Sequence, residues 1–365
     1  METYLVGGAV RDQLLGLPVK DRDWVVVGAT PEQMIESGFR QVGADFPVFL
    51  HPTTNEEYAL ARTERKQGHG YHGFTVYSAP DVTLEDDLRR RDLTVNAMAQ
   101  NEQGQLVDPF GGLDDLNHRR LRHVSDAFSE DPLRILRTAR FAARLQPRGF
   151  AIAPETLTRM RAMVDAGEAG HLVPERVWQE MQRALHENVP GVFFETLADC
   201  GALTVLIPEL ANPATLNQAL EALACISGLS DSTDTRFAAL LSPLTTEQCR
   251  HRGQQLKAPK DCQELATLVT RVAQPLRQSH TAESRLALLD TTDAWRRPDR
   301  LKRLLTVCQC LAPGLTKNSA DALLEAYRTA CEVDAKTLMA QGFSGKALGE
   351  AIRNERLKRI AALSP

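Results

Sequence analysis

The 365-residue chain is long enough for two or three domains, and its 43% hydrophobic and 25% charged content is that of an ordinary globular protein. No apolar run approaches the roughly 20 residues that a membrane helix needs, which excludes a helical membrane protein. The net charge of −4 does not by itself indicate nucleic-acid binding, but arginines are clustered along parts of the chain, and clustering matters more than the total.

The first part of the chain predicts strands and short helices. Short β-branched, apolar runs bounded by glycine indicate buried strands, and helix-forming segments follow some of them. The predicted strands are Thr3–Val6, Asp23–Val27, Phe46–Leu50 and Glu57–Arg62, and the predicted helices are Ala9–Leu15 and Pro31–Ser37. These elements predict a compact head that contains a small sheet.

From Asp131 onward the strand signals fade, and segments rich in alanine, leucine and arginine show helical periodicity. The clearest of these predicted helices are Asp131–Leu145, Pro174–Leu185, Thr215–Ile226, Ala320–Val333 and Lys346–Leu363. We therefore predict an α+β fold, in which the head is followed by an all-helical remainder.

The segment that joins the first two strands has the composition of a phosphate-binding loop. Gly7 and Gly8 follow a strand and open a helix, where a backbone without side chains can approach a phosphate closely. Arg11, one turn into that helix, can reach the same phosphates as a bidentate donor. The spacing is neither the G-x-G-x-x-G of dinucleotide-binding folds nor a G-x-x-x-x-G-K-[ST] loop, so both classes are disfavoured.

Two carboxylates, Asp21 and Asp23, stand at the start of the second strand. Residues two apart on an extended chain point to the same face, so both can share a pair of Mg²⁺ ions. A lone D-x-D pair or a Gly-Gly turn is common in surface turns. A glycine loop, an arginine-bearing helix and a two-carboxylate strand in one short segment are more specific and indicate metal-dependent nucleotidyl transfer.

This combination resembles the first motif of the class II tRNA nucleotidyltransferases, the bacterial CCA-adding enzyme family within the polymerase-β-like superfamily. The resemblance implies a polymerase-β-like nucleotidyltransferase head with a small mixed sheet and helices. It assigns metal binding and catalysis to Asp21 and Asp23, and nucleotide binding to Gly8 and Arg11.

The family's second motif matches residues 90–97. The resemblance implies that Asp92 and Asn96 bind the ribose hydroxyls of the incoming nucleotide and that Arg91 contacts the nucleotide. A carboxylate and an amide that engage vicinal hydroxyls would favour ribonucleotides over deoxyribonucleotides. Asp92 as a third metal-binding carboxylate remains an open alternative.

The third motif, D-P-x-x-G-x-x-D-L, matches residues 108–116. Proline and paired glycines favour a mobile hinge over a rigid element. In the family this motif is a flexible loop required for adding the terminal A. Its presence therefore predicts addition of the complete CCA end.

The fourth motif, E-D-x-x-R-x-x-R, matches residues 130–137. Asp131 is placed to cap the next helix, with Pro132 at its first position. Asp131 and Arg134 share one helix face, and together they can hydrogen-bond the Watson–Crick edge of C or A and so replace a nucleic-acid template.

Arginines continue along this predicted helix at helical spacing. The stripe consists of Arg134, Arg137, Arg140, Arg144 and Arg148. Such a stripe is often only a solvated face, but next to a triphosphate site it favours phosphate binding. The resemblance assigns Arg137 and Arg140 to nucleotide binding, and it implies that Glu175, Arg176 and Glu180 in the fifth motif form structural salt bridges.

The resemblance also predicts the domain organisation. It places a catalytic nucleotidyltransferase head at residues 1–116, a base-recognising helical neck at 117–200, a helical body at 201–310 and a tRNA-binding helical tail at 311–365. The tail ends in a basic group formed by Arg353, Arg356, Lys358 and Arg359.

Longer relatives carry an HD phosphohydrolase domain between neck and tail. Here Arg236–Leu241 runs into Ser242 where those relatives have the His-Asp pair, and the chain contains no His-Asp dipeptide. His251 and His280 are isolated and expected at the surface. We predict a shortened, degenerate body with neither phosphatase nor phosphodiesterase activity and no nickel-type site.

The cysteines and the N-terminus indicate a reducing compartment. The seven cysteines form no C-x-x-C pair, and Cys308 and Cys310 have the wrong spacing for a zinc knuckle. One short strand and a glycine-rich segment open the chain, which is unlike a signal peptide. We expect free thiols and a cytoplasmic protein.

The predicted activity is template-independent, Mg²⁺-dependent addition of C, C and A to the 3′ end of tRNA from CTP and ATP. The tRNA acceptor arm and T-arm would be recognised by shape, and neither a membrane nor an obligate protein partner is indicated. The alternatives are a bacterial poly(A) polymerase, a CC- or A-adding enzyme, and a non-catalytic RNA-binding protein. Residues 43–47, acidic where the poly(A) polymerases are basic, disfavour the first, and the intact Asp21 and Asp23 disfavour the last.

Overall fold

The computed structural model describes residues 1–42, 48–66, 74–311 and 317–363. The chain divides into two compact units, Met1–Leu206 and Ile207–Pro365. The predicted boundaries at residues 116, 200 and 310 are finer than this division and remain predictions. Residues 43–47, on which the comparison with poly(A) polymerases was based, lie outside the described residues.

A mixed β-sheet forms the first part of the first unit. The described strands are β1 (Glu2–Val6), β2 (Asp23–Val27), β3 (Arg40–Val42), β4 (Val48–Leu50), β5 (Glu57–Leu60), β6 (Thr63–Lys66), β7 (Phe74–Tyr77), β8 (Ala99–Asn101), β9 (Leu106–Val107), β10 (Arg120–Leu121) and β11 (Ala151–Ile152). Within this described part, seven strands pair in the order β3-β4-β5-β2-β1-β8-β9. β1 is antiparallel to both β2 and β8, whereas β2 is parallel to β5.

Helices precede, interrupt and follow these strands. Those of the first unit are α1 (Gly8–Leu14), α2 (Pro31–Glu36), α3 (Leu84–Arg89), α4 (Gly112–Asn117), α5 (Leu133–Leu145), α6 (Pro154–Asp165), α7 (Pro174–Leu185), α8 (Gly191–Asp199) and α9 (Ala202–Leu206). The elements predicted in this unit are confirmed to within two residues at each described end, and those predicted in the second unit to within three. Phe46 and Pro47 of one predicted strand lie outside the described residues.

The two faces of the sheet are covered by different parts of the chain. Successive side chains of β1 point to opposite faces. Leu5 packs with Ala9 and Val10 of α1, whereas Val6 packs with Val25 and Leu88 on the other face. Because β1 and β2 are antiparallel, Val6 lies opposite Asp23, and the loop after β1 therefore lies beside the start of β2.

Helix α5 is the central helix of the second half of this unit. Ile135, Leu136, Ala139 and Ala143 are fully buried along it. It packs against α7 and α8. Its apolar side is thus covered by helices, and its arginine-bearing side is left to face a cavity.

The second unit is helical throughout its described residues. Its helices are α10 (Pro213–Ser227), α11 (Thr233–Leu240), α12 (Thr246–Gln255), α13 (Lys260–Arg277), α14 (Ala282–Thr291), α15 (Pro298–Cys308), α16 (Lys317–Cys331), α17 (Ala335–Ala340) and α18 (Gly345–Ala361). Arg236 of α11, six residues before Ser242 where longer relatives have the His-Asp pair, is buried and donates to the Ser230 carbonyl and the Asp231 carboxylate. His251 and His280 are exposed, as predicted. Every described helix is too short or too polar to cross a membrane.

The expectation of seven free thiols is wrong for one pair of cysteines. A disulfide joins Cys225 of α10 to Cys310, which follows α15, with their Cα atoms 5.5 Å apart. These positions are 85 residues apart in the chain. Nothing local in the sequence connects them, because only the packing of the helices brings them together.

The basic group near the C-terminus is largely neutralised within the second unit. Arg353 pairs with Asp290 at 3.5 Å, and Arg359 pairs with Glu332 at 3.3 Å. The Arg356 guanidinium lies 3.7 Å from the centre of the Trp295 ring. Of the four predicted basic side chains, Lys358 retains an exposed charge with no ion pair among the described residues.

The third motif contains a capped helix where the sequence predicts a hinge. Asp108 accepts hydrogen bonds from the backbone N–H groups of Gly112 and Leu113, at 2.7 and 2.8 Å, and so caps α4. Asp115, 3% exposed, accepts a hydrogen bond from the Thr94 hydroxyl at 2.7 Å. The proline, glycines and aspartates of this motif therefore form a capped helix that is fixed to the head.

Replacing Gly112 by alanine is expected to destabilise the protein by about 2 kcal/mol, the usual cost of overpacking a well-packed site. A Cβ at this position would overlap the Thr94 carbonyl oxygen and lie 2.7 Å from Met98 Cγ. Urea unfolding measures the change. Gly170→Ala is the matched control, since nothing lies within 4 Å of its Cβ position; equal stability of the two variants would contradict the packing described for α4.

Candidate active site

One cavity of about 720 Å³ in the first unit collects the predicted functional residues. It lies between the ends of two central strands of the sheet, where β1 ends and β2 begins, and the arginine-bearing side of α5. Its lining includes all the residues predicted to bind metal or nucleotide: Gly8, Arg11, Asp21, Asp23, Arg91, Asp92, Asn96, Asp131, Arg134, Arg137 and Arg140. Residues separated by more than a hundred positions thus line one space.

The glycine loop has a conformation that needs glycine. Gly7 has φ 69° and ψ −131°, a combination that residues with a Cβ rarely adopt. A Cβ there would also lie 2.9 Å from Arg91 Nη1. The absence of a side chain at Gly7 therefore lets the guanidinium of Arg91 lie directly against the loop.

Asp21 and Asp23 lie at the sheet edge beside this loop, and both side chains are exposed. The pKa of Asp23 lies above its ordinary value. Partial loss of hydration raises it, the positive charge of Arg91 opposes this effect, and the negative charge of Asp21 adds to it. A divalent cation would relieve the repulsion between the two carboxylates. Their hard oxygen donors therefore fit a magnesium ion.

A third carboxylate, Glu57, lies beside this pair and was missed in the sequence. Asp23 and Glu57 are directly paired across the parallel strands β2 and β5, and both line the cavity. Within the described residues no cluster of three or more His, Cys, Asp or Glu side chains forms a ready-made metal site. Mg²⁺ does not require one, because it binds through one or two carboxylates, substrate phosphates and water.

Asp87 fixes Arg91 and was also missed. Its carboxylate is fully buried and accepts hydrogen bonds from Arg90 at 2.8 Å and from Arg91 at 3.1 Å. Burial alone would raise the pKa of Asp87, but the charges of Arg90 and Arg91 lower it below its ordinary value. The spacing of Asp87 from these arginines, three and four residues along α3, is the sequence signal that could have revealed it.

Arg11 has a different environment from the one predicted. It is 1% exposed, donates to the Asp12 carboxylate through Nε and Nη2 at 2.9 and 2.7 Å, and donates to Asn96 Oδ1 through Nη1 at 2.6 Å. These bonds use three of the five N–H donors of the guanidinium, and the predicted bond to phosphate remains a prediction. In this structure Arg11 instead holds the side chain of Asn96.

Asn96 and Asp92, the predicted ribose-binding pair, are connected to each other and to α5. Asn96 Nδ2 donates to Asp92 Oδ1 at 3.0 Å, and Arg137 Nε donates to Asp92 Oδ2 at 2.7 Å. Burial alone would raise the pKa of Asp92, but the charge of Arg137 and the hydrogen bonds it receives lower it well below the ordinary value. Asp92 is therefore a buried, ionised carboxylate.

The predicted base-reading residues both line the cavity, but each has partners of its own. Asp131 accepts from the Leu133 N–H at 3.0 Å and from Arg176 at 3.1 Å. Arg134 donates to the backbone carbonyls of Ala127 and Arg90, which fixes the plane of its guanidinium. The helix begins at Leu133 with Pro132 as its N-cap, so the predicted N-cap at Asp131 is wrong by one position, although Asp131 accepts the Leu133 N–H.

The remaining arginines of the stripe differ in their positions. Arg140 donates to Glu180 at 2.7 Å, and Arg144 donates to Asp12 at 2.8 Å. Arg148 is exposed and lies outside the cavity lining, because α5 ends at Leu145. The predicted stripe of five is therefore wrong at its last member. The predicted salt bridges of Arg176 and Glu180 are confirmed.

The fold and the cavity define a nucleotidyltransferase: a mixed sheet whose edge presents a glycine loop and paired carboxylates to a cluster of arginines. The family model described as Poly A polymerase head domain matches residues 3–122, and the one described as Probable RNA and SrmB- binding site of polymerase A matches residues 149–212. These matches confirm the predicted head and the helical segments that follow it.

Curated relatives and solved structures identify the family. The chain is 60% identical to the CCA-adding enzyme of Marinobacter nauticus over 99% of this chain and 98% of that one, and 52% identical to the CCA-adding enzyme of Pseudomonas putida over the same shares. It superposes on the Bacillus stearothermophilus CCA-adding enzyme in complex with CTP with a TM-score of 0.71 and 26% identity, over 99% and 88% of the two chains. The chain belongs to the CCA-adding enzyme family.

Replacing Asp92 by asparagine is expected to destabilise the protein by about 2 kcal/mol at pH 7, the usual size of a hydrogen bond to a charged group. Because the folded-state pKa of Asp92 lies below the ordinary value of about 3.9, this contribution is complete well above pH 4 and is lost as the pH falls. Urea unfolding between pH 7 and pH 3 measures it, with the exposed Asp165→Asn as control. A difference from wild type that does not shrink in acid would contradict the ionised, paired state.

Proposed function

We propose that this protein adds C, C and A to the 3′ end of tRNA, with CTP and ATP as substrates and pyrophosphate as the leaving product. The observation that carries the proposal is the single cavity in which the glycine loop, Asp21, Asp23 and the arginines of α5 meet, in a chain 60% identical to a CCA-adding enzyme. The same chemistry serves tRNA maturation and repair. Since tRNA and both nucleotides are cytoplasmic, we place the protein there.

Asp21 and Asp23 would hold Mg²⁺. The ion supplies two effects when bound: it favours ionisation of the attacking 3′-hydroxyl and neutralises charge on the triphosphate. The repulsion between the two carboxylates and their exposure to the cavity support this assignment. Glu57 is placed to accept a hydrogen bond or a proton beside them.

In this proposal the triphosphate binds against the glycine loop. Arg91 lies over Gly7 and is held there by Asp87, so its guanidinium is positioned before the nucleotide arrives. Gly8 keeps the backbone accessible. Catalysis in phosphoryl transfer is mainly positioning and charge stabilisation, and a fixed guanidinium supplies both without reorganisation.

The ribose and the rest of the nucleotide are assigned to the network on α5. Asp92 accepts from Asn96, Arg137 and the Leu93 N–H, which takes three of the roughly four acceptor sites of a carboxylate and leaves one for a ribose hydroxyl. Arg137 and Arg140 line the cavity on the same helix. Arg11 contributes by orienting Asn96.

Asp131 and Arg134 are proposed to select the base. Asp131 accepts hydrogen bonds from two donors, Leu133 and Arg176, so acceptor capacity remains for the exocyclic amine of C or A. The carbonyl partners of Arg134 set the orientation in which it would meet a ring nitrogen or carbonyl. The tRNA itself would be bound by the shape of its acceptor arm and T-arm, with Lys358 among the candidate contacts.

The first experiment incubates the protein with Mg²⁺, CTP, ATP and a tRNA transcript that ends at the discriminator base, followed by 3′-end sequencing. A uniform CCA end is the expected result. A CC end would place the protein among CC-adding enzymes, a run of A would indicate a poly(A) polymerase, and no extension would leave a non-catalytic RNA-binding protein. Residues 108–116, from which the sequence predicts addition of the final A, contain the start of α4, which Asp108 caps.

Replacing Asp21 by alanine is expected to reduce nucleotide addition by at least about 1,000-fold while leaving tRNA affinity nearly unchanged, because the electrostatic stabilisation of the transition state is lost but no RNA contact is removed. Single-turnover addition and filter binding measure the two quantities. Asp165→Ala, an exposed aspartate outside the cavity, should behave as wild type. Substantial turnover by the Asp21 variant would rule out the metal assignment.

Replacing Asp131 by alanine is expected to blur the choice between nucleotides more than it weakens tRNA binding. Loss of a matched hydrogen bond to the base corresponds to about 1–3 kcal/mol, or about 5- to 150-fold in selectivity. Competition of CTP with UTP, read by 3′-end sequencing, measures the effect. Unchanged fidelity would show that Asp131 only supports the start of α5 and its contact with Arg176.

A further inference from the structure

A closed series of hydrogen bonds begins and ends on helix α5. Arg144 Nη2 donates to Asp12 Oδ2 at 2.8 Å, and Arg11 donates to Asp12 Oδ1 at 2.7 and 2.9 Å. Arg11 Nη1 also donates to Asn96 Oδ1 at 2.6 Å. Asp92 completes the series, because it accepts from Asn96 Nδ2 at 3.0 Å and from Arg137 Nε at 2.7 Å. Arg137 and Arg144 are two helical turns apart, so both project from one side of α5.

This series passes through the buried part of the head. Arg11, Asp12, Asn96 and Asp92 are exposed by 1, 6, 5 and 6% respectively. Hydrogen bonds between charged groups are stronger in such a low-dielectric environment than in water, and members of one network act together. Asp12 lies at the centre, because it accepts from an arginine of α1 on one oxygen and from an arginine of α5 on the other.

Two separated contacts restrain a helix more than one. At its N-terminal end α5 is tied to the head by Arg137, which donates to Asp92, and by Arg134, which donates to the Arg90 carbonyl at 2.6 Å. Because these two contacts lie within one turn of the helix, the Arg144–Asp12 contact near the C-terminal end sets the angle of α5 relative to α1, from which Arg11 projects. A change in this angle would alter where the arginines of α5 lie along the cavity.

We propose that Asp12 and Arg144 are positioning residues that fix α5 over the glycine loop and thereby set the selectivity of the site for the incoming nucleotide. The proposal rests on the proposed nucleotide addition; it gives a role to Asp12, which the motifs left unassigned, and a positioning role to Arg144, for which the arginine stripe predicted phosphate binding. Arg144 acts through Asp12 on Arg11, and Arg11 in turn orients Asn96. A misplacement of about 1 Å at a reacting group can reduce the rate about 100-fold. Loss of the second anchor on this helix can therefore lower the rate of nucleotide addition strongly.

The test uses the full-length protein and begins with Arg144→Met. The Arg144 side chain is 28% exposed, and its removal leaves Asp12 paired with Arg11, so no buried charge loses its only partner. Arg144→Lys retains the charge and one donor and serves as the conservative variant. Arg148→Met is the matched control, since Arg148 is an exposed arginine four residues further along and lies outside the cavity lining. Asp12→Asn and the Asp12→Asn/Arg144→Met double variant complete a cycle.

Steady-state addition of CMP and AMP to tRNA gives kcat and KM, and competition with UTP and GTP gives selectivity. We expect Arg144→Met to lower kcat by about 10- to 100-fold, to lower selectivity against UTP, and to change KM less than threefold, with the thermal midpoint close to that of Arg148→Met. Arg144→Lys should recover most of the loss. The double variant should lose no more than the worse single variant, because both substitutions break the same contact.

Three results would overturn the proposal. If Arg144→Met matches Arg148→Met in kcat and selectivity, the second anchor has no function. Should the methionine variant fail to fold, wild-type kcat and selectivity of Asp12→Asn would lead to the same conclusion. If the losses of Asp12→Asn and Arg144→Met multiply, Arg144 acts on the triphosphate directly. If the wild-type protein adds no nucleotide, the proposed function itself is wrong. If the wild type is active and the variants are unchanged, only the inference about Asp12 and Arg144 is wrong.

Discussion

The structure of the first unit depends on balancing positive charge in a confined space. Ten arginines line one cavity, where they repel one another and lose part of their hydration; five of them are Arg91, Arg134, Arg137, Arg140 and Arg144. Buried carboxylates, Asp12, Asp87, Asp92 and Glu180, offset this cost by accepting hydrogen bonds from nearly all of these five. Arg134 instead donates to backbone carbonyls. The sheet, α3, α5 and α7 are therefore arranged so that each guanidinium has a fixed acceptor.

This arrangement has a direct consequence for the proposed chemistry. A guanidinium held by a buried carboxylate keeps its direction and does not reorganise when a triphosphate enters, which is the condition for effective electrostatic stabilisation. Asp87 does this for Arg91, and Asp92 does it for Arg137. The carboxylates proposed to bind the metal are the exception. Asp21 and Asp23 are exposed and repel each other, which is consistent with the proposed binding of a cation.

The third motif shows how one composition can serve opposite structures. Proline and paired glycines favour a hinge when considered alone, yet here Gly112 is needed because the Thr94 carbonyl leaves no space for a Cβ. Asp108 then caps the helix, and Asp115 binds Thr94 and Arg122. Flexibility and close packing both select glycine, so the sequence does not distinguish them. The contact with a segment some twenty residues earlier decides between the two.

The sequence by itself determined the local elements and the membership of the site. The apolar periodicity of β1, β2, α5 and α7 is a local property of the sequence. Short motifs predicted that Gly8, Asp21, Asp23, Asp92 and Asp131 belong to one site, and in the structure all five line one cavity. Only the tertiary structure decided the partners. Arg11 and Asn96 are 85 positions apart, Arg144 and Asp12 are 132 apart, and Glu57 meets Asp23 only because β5 pairs with β2. A hydrogen bond requires two groups within about 3 Å, and no pattern in a chain specifies such a distance until the helices and strands between the two groups have packed.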